Sequence, residues 1–254
     1  MIDALPVLRH RQMGCIFIPF PIPAITQSPV ALVCFHDDPA GILERKFVLR
    51  VKICGITSVT DALVAAAAGA DAIGLVFYPP SPRNVPLETA QQILAALPPF
   101  VTRVGLFVNP EASWVEGILR SCALDILQFH GDEPEGFCKQ FHRPYLKVVR
   151  VNGECDLRPW RDRYATAQGL LLDKRDDRVY GGSGQSFAWW QLPQDLDMPL
   201  ILAGGLRPDT VATAVAVAHP YAVDVSSGVE ISPGRKDRGK IEHFIAQARG
   251  VGEA

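Results

Sequence analysis

The sequence predicts an α/β fold: a single (β/α)8 barrel over residues 49–254, with an irregular N-terminal extension over residues 1–48. Two observations carry this. From Leu49 onward, short segments rich in Val, Ile and Leu recur at intervals of roughly 20 to 30 residues, enough for a strand, a loop, a helix and a return loop. Several of these segments, such as Leu170-Leu171-Leu172 and Leu200-Ile201-Leu202, are continuous apolar runs, as strands buried on both faces of a parallel sheet are.

Strands are expected at Leu49–Ile53, Ala72–Phe77, Thr102–Val108, Asp125–Phe129, Tyr145–Val151, Gly169–Leu172, Pro199–Ala203 and Ala222–Val225. Between the first two, Asp61–Ala68 is an alanine-rich helical run; Thr57 and Ser58 are its candidate caps and Gly69 ends it. Pro86–Leu97 and Glu111–Ser121 have helical composition, and Thr210–Ala218 follows Pro208-Asp209 and stops before Pro220. A doubly wound sheet would need fewer strands and a glycine-rich nucleotide loop after the first, where this chain has Val51-Lys52-Ile53-Cys54-Gly55-Ile56-Thr57.

Residues 1–48 show neither helical period nor alternation. Their apolar stretch, Cys15 to Val33, is broken by Pro19, Pro21, Pro23 and Pro29 and has no A-x-A cleavage pattern, so it reads as neither export signal nor anchor. We expect a mis-started or dispensable tail, with Val48, Leu49 or Val51 as alternative starts.

A formal net charge of −2 offers no basic field for nucleic acid, so an anionic ligand must be held by a few placed donors. No apolar run approaches the ~18 residues of a membrane span. The six cysteines, at 15, 34, 54, 122, 138 and 155, form no C-x-x-C pair and no zinc-like cluster with histidine. They read as reduced thiols of a cytoplasmic protein without a metal site, five of them small apolar fillers.

Active sites of such barrels lie at the C-terminal strand ends, so what each strand runs into is informative. Strand one ends in Cys54-Gly55, where the thiol is placed either as a reactive group or as a core filler. Strand two leads into Tyr78-Pro79-Pro80-Ser81-Pro82-Arg83, whose prolines limit where the arginine points and suit bidentate capture of a carboxylate or phosphate; a solvated surface arginine is the alternative. Strand four ends in Gln128-Phe129-His130-Gly131, with the histidine a ligand contact or a hydrogen-bonded structural group. Strand six delivers Asp173, a rigidly held carboxylate or a helix cap, while Asp176 and Asp177 fall later in the loop. Strands seven and eight finish in Gly204-Gly205 and in Asp224-Val225-Ser226-Ser227-Gly228, small residues that expose backbone N–H groups to a phosphate.

Taken in order, Lys52–Thr57, Ser81–Arg83, Gln128–Gly131, Leu171–Asp173, Gly181–Gly184, Ala203–Leu206 and Asp224–Pro233 resemble the phosphoribosylanthranilate isomerase family from about Val51 to Arg249. Each motif is short; the ordered set is specific. The resemblance implies an enzyme of tryptophan biosynthesis that needs no cofactor, takes a small-molecule substrate and is a monomer or homodimer. It would convert N-(5-phosphoribosyl)anthranilate to 1-(2-carboxyphenylamino)-1-deoxyribulose 5-phosphate by an Amadori rearrangement. Asp173 matches the family's general acid and Cys54 its general base. Arg83 would hold the anthranilate carboxylate, His130 and Asp224 the sugar end, and backbone amides near Gly204, Gly205, Ser226 and Ser227 the phosphate, with the loop around Gly181–Gly184 closing over them.

These roles make demands. An aspartic acid with an ordinary pKa of about 3.9 is ionised at neutral pH, so Asp173 needs apolar surroundings or neighbouring negative charge. Cys54 works better as a thiolate, which Lys52, on the same strand face, is expected to favour. One departure is Phe187-Ala188-Trp189, where the family usually has Asp between the aromatics. The alternatives are a related histidine-pathway or dual-substrate sugar-phosphate isomerase, which uses paired aspartates, and a non-catalytic sugar-phosphate-binding barrel, which would lack Cys54 or Asp173.

Overall fold

The computed structural model describes residues 49–151, 154, 156–174, 190 and 192–250. The N-terminal segment 1–48, the glycine loop 181–184, Asp176, Asp177 and the Phe187–Trp189 departure lie outside the described residues, as do Cys15, Cys34 and Cys155.

Eight parallel strands close into a barrel in sequence order: β1 (Arg50–Cys54), β2 (Ala72–Val76), β3 (Thr102–Phe107), β4 (Ile126–Phe129), β5 (Tyr145–Val151), β6 (Gly169–Lys174), β7 (Leu200–Leu202) and β8 (Ala222–Val225), with β8 returning to pair with β1. Helices α1 (Val59–Ala67), α2 (Leu87–Ala96), α3 (Ala112–Ser121), α4 (Glu135–Lys139), α5 (Arg158–Arg163), α6 (Val211–Ala218) and α7 (Arg238–Gly250) follow strands β1 to β5, β7 and β8. After β8 the chain makes a 3-10 turn, Ser227–Val229, and a short antiparallel hairpin of β9 (Glu230–Ser232) and β10 (Arg235–Lys236).

Each predicted strand is present, and the predicted helices begin and end within two residues of their expected limits. Ser58 is the N-cap of α1, its Oγ accepting from the Asp61 N–H at 3.1 Å, and Gly69 follows the helix at φ +95°, a left-handed turn that favours glycine. Helices α4, α5 and α7 are additions to the sequence reading, as is the β9–β10 hairpin.

Alternation along the strands divides the molecule into two apolar regions. Leu170, Leu172, Leu200 and Leu202 belong to the shell between strands and helices, whereas Leu146, Val148, Leu171 and Ile201 fill the barrel interior. Helix α7 buries Ile241, Phe244, Ile245 and Ala248, the i, i+3, i+4, i+7 stripe of a helix lying on a core. At its C-terminal end Arg249 Nη2 donates to the Gly69 carbonyl at 2.6 Å and to Asp71 Oδ2 at 3.1 Å, tying the last helix to the turn between α1 and β2.

One buried charge pair shapes the mouth on the β3–β5 side. The Lys147 ammonium, its side chain 1% exposed, donates to Glu133 Oε2 at 2.7 Å and to the Gly131 carbonyl at 2.6 Å. Glu133 Oε1 accepts from the Asn109 and Gly131 N–H groups at 2.7 and 3.1 Å, so one carboxylate holds the loops after β3 and β4. Removing one partner of a buried pair strands the other charge in a medium that cannot solvate it. Glu133→Ala is therefore expected to lower unfolding free energy by about 3–5 kcal/mol in urea titrations. A loss below about 1 kcal/mol would show that water or side-chain relaxation replaces the pair.

Candidate active site

The C-terminal ends of the strands surround a cleft, open to solvent, that is lined by both polar and apolar groups. All the side chains singled out in the sequence line it: Cys54, Arg83, His130, Asp173, Gly204, Gly205, Asp224, Ser226 and Ser227. Val76, Leu106 and Val108 supply an apolar wall beside Cys54.

Strand β1 turns Lys52 and Cys54 to the same interior face. Lys52 lies deeper, its Nζ 2.9 Å from Asp224 Oδ1, and both side chains of this pair are more than nine-tenths buried. The register that sets Lys52 beside Asp224 on β8 sets Cys54 beside Gly74 on β2. Burial pushes the Cys54 thiol above the ordinary cysteine value; Lys52 and Lys236 pull it down and Asp224 adds to the rise, leaving it raised. Lys52 does favour the thiolate, as expected, but desolvation of the charged form outweighs it. Lys52 itself is lowered by burial, but the charges of Asp224 and Cys54 more than restore it, leaving it above its ordinary value.

Asp173 sits one residue before the end of β6 and is 7% exposed, within the strand rather than on the loop. Its Oδ2 lies 3.1 Å from His130 Nε2, within ion-pair distance of a protonated imidazole. Gln128, one alternation below His130, is fully buried, and neither its amide oxygen nor its nitrogen has a partner among the described residues. The sequence reading quoted this glutamine only as part of a motif; a buried amide facing a cavity is a polar contact awaiting a ligand group.

Arg83 reaches the mouth from the loop between β2 and α2, with Ser81 Oγ accepting from its backbone N–H at 3.1 Å. Its fork is not wholly free. Nε and Nη2 donate to Glu230 Oε1 and Oε2 at 2.9 and 2.7 Å, so the edge open to a ligand is the one carrying Nη1. On the far side of the mouth, Gly204 and Gly205 both take left-handed φ values, +79° and +72°, which free the backbone to turn immediately after β7. A Cβ on Gly228 would run into the Leu206 carbonyl, so the loops after β7 and β8 pack directly against each other. Ser226 Oγ, buried beside Gly55 at the end of β1, has no hydrogen-bond partner among the described residues. Among those residues, no cluster of His, Cys, Asp or Glu has the arrangement of a metal site.

Comparison with known proteins decides the kinship. A family profile described as N-(5'-phosphoribosyl)anthranilate (PRA) isomerase matches residues 51–247. The chain belongs to this family. Among phosphoribosylanthranilate isomerases, that of Acidithiobacillus ferrooxidans is 63% identical over 203 residues, which is 80% of this chain and 98% of that protein. The crystal structure of the phosphoribosylanthranilate isomerase from Thermotoga maritima superposes with a TM-score of 0.72 at 42% identity, over 80% of this chain and 99% of that one. A second isomerase structure, in complex with reduced 1-(o-carboxyphenylamino)-1-deoxyribulose 5-phosphate, gives 0.65 at 40% identity, with 80% and 99% of the two chains covered.

The packing around Cys54 generates a test. A Cβ built on Gly74 would lie 2.8 Å from Cys54 Sγ, 3.1 Å from Cys54 Cα and 3.1 Å from Lys52 Nζ. Two of these neighbours are a strand backbone and a charge held by its partner, so little can yield. Gly74→Ala is expected to destabilise the barrel by about 1–3 kcal/mol, the usual cost of overpacking, measured by urea unfolding. An unchanged midpoint would mean that β1 and β2 separate there at little cost.

Proposed function

We propose that Cys54 and Asp173 act as general base and general acid in the isomerisation that membership of this family gives the chain, within tryptophan biosynthesis. The observation that carries the assignment is their meeting in one cavity: a thiol and a carboxyl group, each less than a tenth exposed, delivered by β1 and β6 to the same mouth. The substrate is N-(5'-phosphoribosyl)anthranilate, and the product is the corresponding 1-amino-1-deoxyribulose 5-phosphate.

The first step opens the furanose. Protonated Asp173 gives its proton to the ring oxygen as the C1'–O bond breaks, and the nitrogen lone pair moves in to form a Schiff base. The Cys54 thiolate then removes the C2' proton; those electrons form a C1'=C2' double bond while the C=N pair returns to nitrogen, giving an enolamine. Tautomerisation with protonation at C1' leaves the ketone. Rigid placement of both groups at strand ends supports this division of work, because proton transfer needs heavy atoms within hydrogen-bond reach.

Binding follows the polarity of the mouth. The open edge of Arg83 receives the anthranilate carboxylate. His130 and Asp224 line the sugar end, and backbone N–H groups at Gly204, Gly205, Ser226 and Ser227 receive the phosphate, with no Cβ shielding the two glycines. Residues 49–254 carry the whole activity in this reading, since all eight strands lie between Arg50 and Val225. No described helix is long and apolar enough to cross a membrane. The described cysteines 54, 122 and 138 are free thiols, which supports a reducing, cytoplasmic setting.

Activity is read by generating the fluorescent substrate in situ and following its disappearance. Cys54→Ala is expected to lower kcat at least ~10²-fold, and Asp173→Asn by ~10²–10⁴-fold, each with product affinity kept within a few-fold. Near-normal turnover by either variant removes that residue from its role. A chain starting at residue 44 is expected to keep kcat/KM, and its failure to fold would refute the assignment of the activity to 49–254 alone.

The pH dependence has a fixed sign. Turnover needs the carboxylic acid protonated and the thiol ionised, and carboxylic acids titrate well below thiols. Above the thiol pKa no further thiolate forms while protonated acid keeps falling, so the rate declines on the alkaline side. Burial raises Cys54, so that decline is expected above the ordinary cysteine range. An alkaline limb near pH 7 would contradict the buried thiol as base.

A further inference from the structure

Glu230, at the start of the hairpin after β8, is a charged residue that the reaction above leaves without a task. Its side chain is 4% exposed and is surrounded by donors. Oε1 accepts from Arg83 Nε at 2.9 Å, from Lys236 Nζ at 2.9 Å and from the Gly234 N–H at 3.3 Å, while Oε2 accepts from Arg83 Nη2 at 2.7 Å. Lys236 Nζ, equally buried, also donates to the Ser226 carbonyl at 3.1 Å, and Lys240 Nζ donates to the Glu230 carbonyl at 2.8 Å.

The hairpin by itself asks for less than this. Lys236 and the Gly234 N–H would satisfy one carboxylate oxygen and staple β9 to β10. The second oxygen is used on an arginine 147 positions away, from the loop that follows β2. That arginine is restrained twice. Its stem lies over Gly55, where a Cβ would come 2.6 Å from Cδ and 2.9 Å from Ser226 Oγ. Its head is gripped along one edge by both carboxylate oxygens, a two-point contact that fixes the plane of the guanidinium as well as its position. The remaining edge is what Arg83 can offer to the cavity it lines.

Charge counting agrees. Arg83 and Lys236 share one buried carboxylate, so Glu230 does not neutralise both of them and this side of the cavity stays cationic. Burial pushes the Glu230 carboxyl up, but Arg83 and Lys236 outweigh it and hold it below its ordinary value, so the carboxylate stays ionised through the neutral range. A cationic group with a fixed planar edge fits a ligand carboxylate.

We propose that Glu230 is a positioning residue for substrate selectivity: by gripping Arg83 edge-on it pre-orients the arginine to receive the carboxylate of the aromatic amine. The proposal rests on the reading of Arg83 as the carboxylate contact. Ordering the arginine before the substrate arrives lowers the cost of binding, and the effect falls on KM rather than on the chemical step.

The experiment is a double-mutant cycle on the full chain with E230Q, R83M and the pair, reading kcat and KM for phosphoribosylanthranilate and the inhibition constant of ribose 5-phosphate, a probe with no carboxylate. E230Q is expected to raise KM about tenfold with kcat within about threefold. R83M is expected to raise KM at least as much, and E230Q added to R83M to raise it no further than about twofold. Ribose 5-phosphate inhibition is expected to stay within about twofold in E230Q, because that probe lacks the group that Arg83 receives. Equal multiplication of KM by E230Q in both backgrounds, or parallel weakening of ribose 5-phosphate, would reduce Glu230 to a hairpin staple and overturn the proposal. An R83M protein with unchanged KM would remove the carboxylate reading of Arg83 itself, and the proposal with it; a large R83M effect beside a silent E230Q removes the positioning role alone. Should E230Q not fold, E230D keeps the charge beside Lys236 with one methylene less reach, and the same cycle is read with it.

Discussion

The barrel closes where β8 meets β1, and at that seam Lys52 faces Asp224 with 2.9 Å between ammonium and carboxylate. The two residues are 172 positions apart, so the contact forms only when the whole sheet has curled round on itself. Neither charge can be exposed by a small adjustment, since both side chains are more than nine-tenths buried at the centre of the ring. A register slip of one residue between β1 and β8 would turn Lys52 outward and leave Asp224 alone inside, a penalty that apolar strands by themselves would not impose. The same pairing sets the height of Cys54 relative to the end of β8, and so where the thiol meets the cavity.

How far the fold was readable in the sequence follows from how local each signal is. Strands β6 and β7 announce themselves as unbroken apolar runs, and α1 by its serine cap and terminal glycine, all within a few residues. Helices α4 and α5, with 5 and 6 residues, are too short to display a period. Helix α7 does carry a periodic stripe, but its four buried residues are diluted by Arg238, Lys240, Glu242 and His243, and the sequence reading did not extend a helix there. Short β9 and β10 are held by side chains from elsewhere, and nothing in their own residues marks them as strands.

The site divides in the same way. Residues that stand at strand ends were identified because barrel geometry assigns those positions before any contact is known. What escaped were relations between distant residues. Glu230 looks like an ordinary charge after a small-residue loop until Arg83 is seen to lie against it. Gly74 looks like a weak point in a strand until Cys54 and Lys52 are seen to fill the space where its side chain would be. The balance at Cys54 could not be read for a related reason: a neighbouring cation is visible in the sequence, whereas desolvation comes from the combined approach of many apolar groups.

The contact between Gly228 and the Leu206 carbonyl ties the histories of two loops together. Any side chain at 228 demands that the segment after β7 retreat, and any shift of that segment opens a gap beneath 228. Change in one therefore has to be matched in the other. For laboratory evolution of this scaffold, libraries that diversify the end of β8 while freezing the end of β7 would consist largely of collisions. Recombination that exchanges residues 203–229 as one cassette would keep the complementarity intact and leave the opposite side of the barrel free to vary.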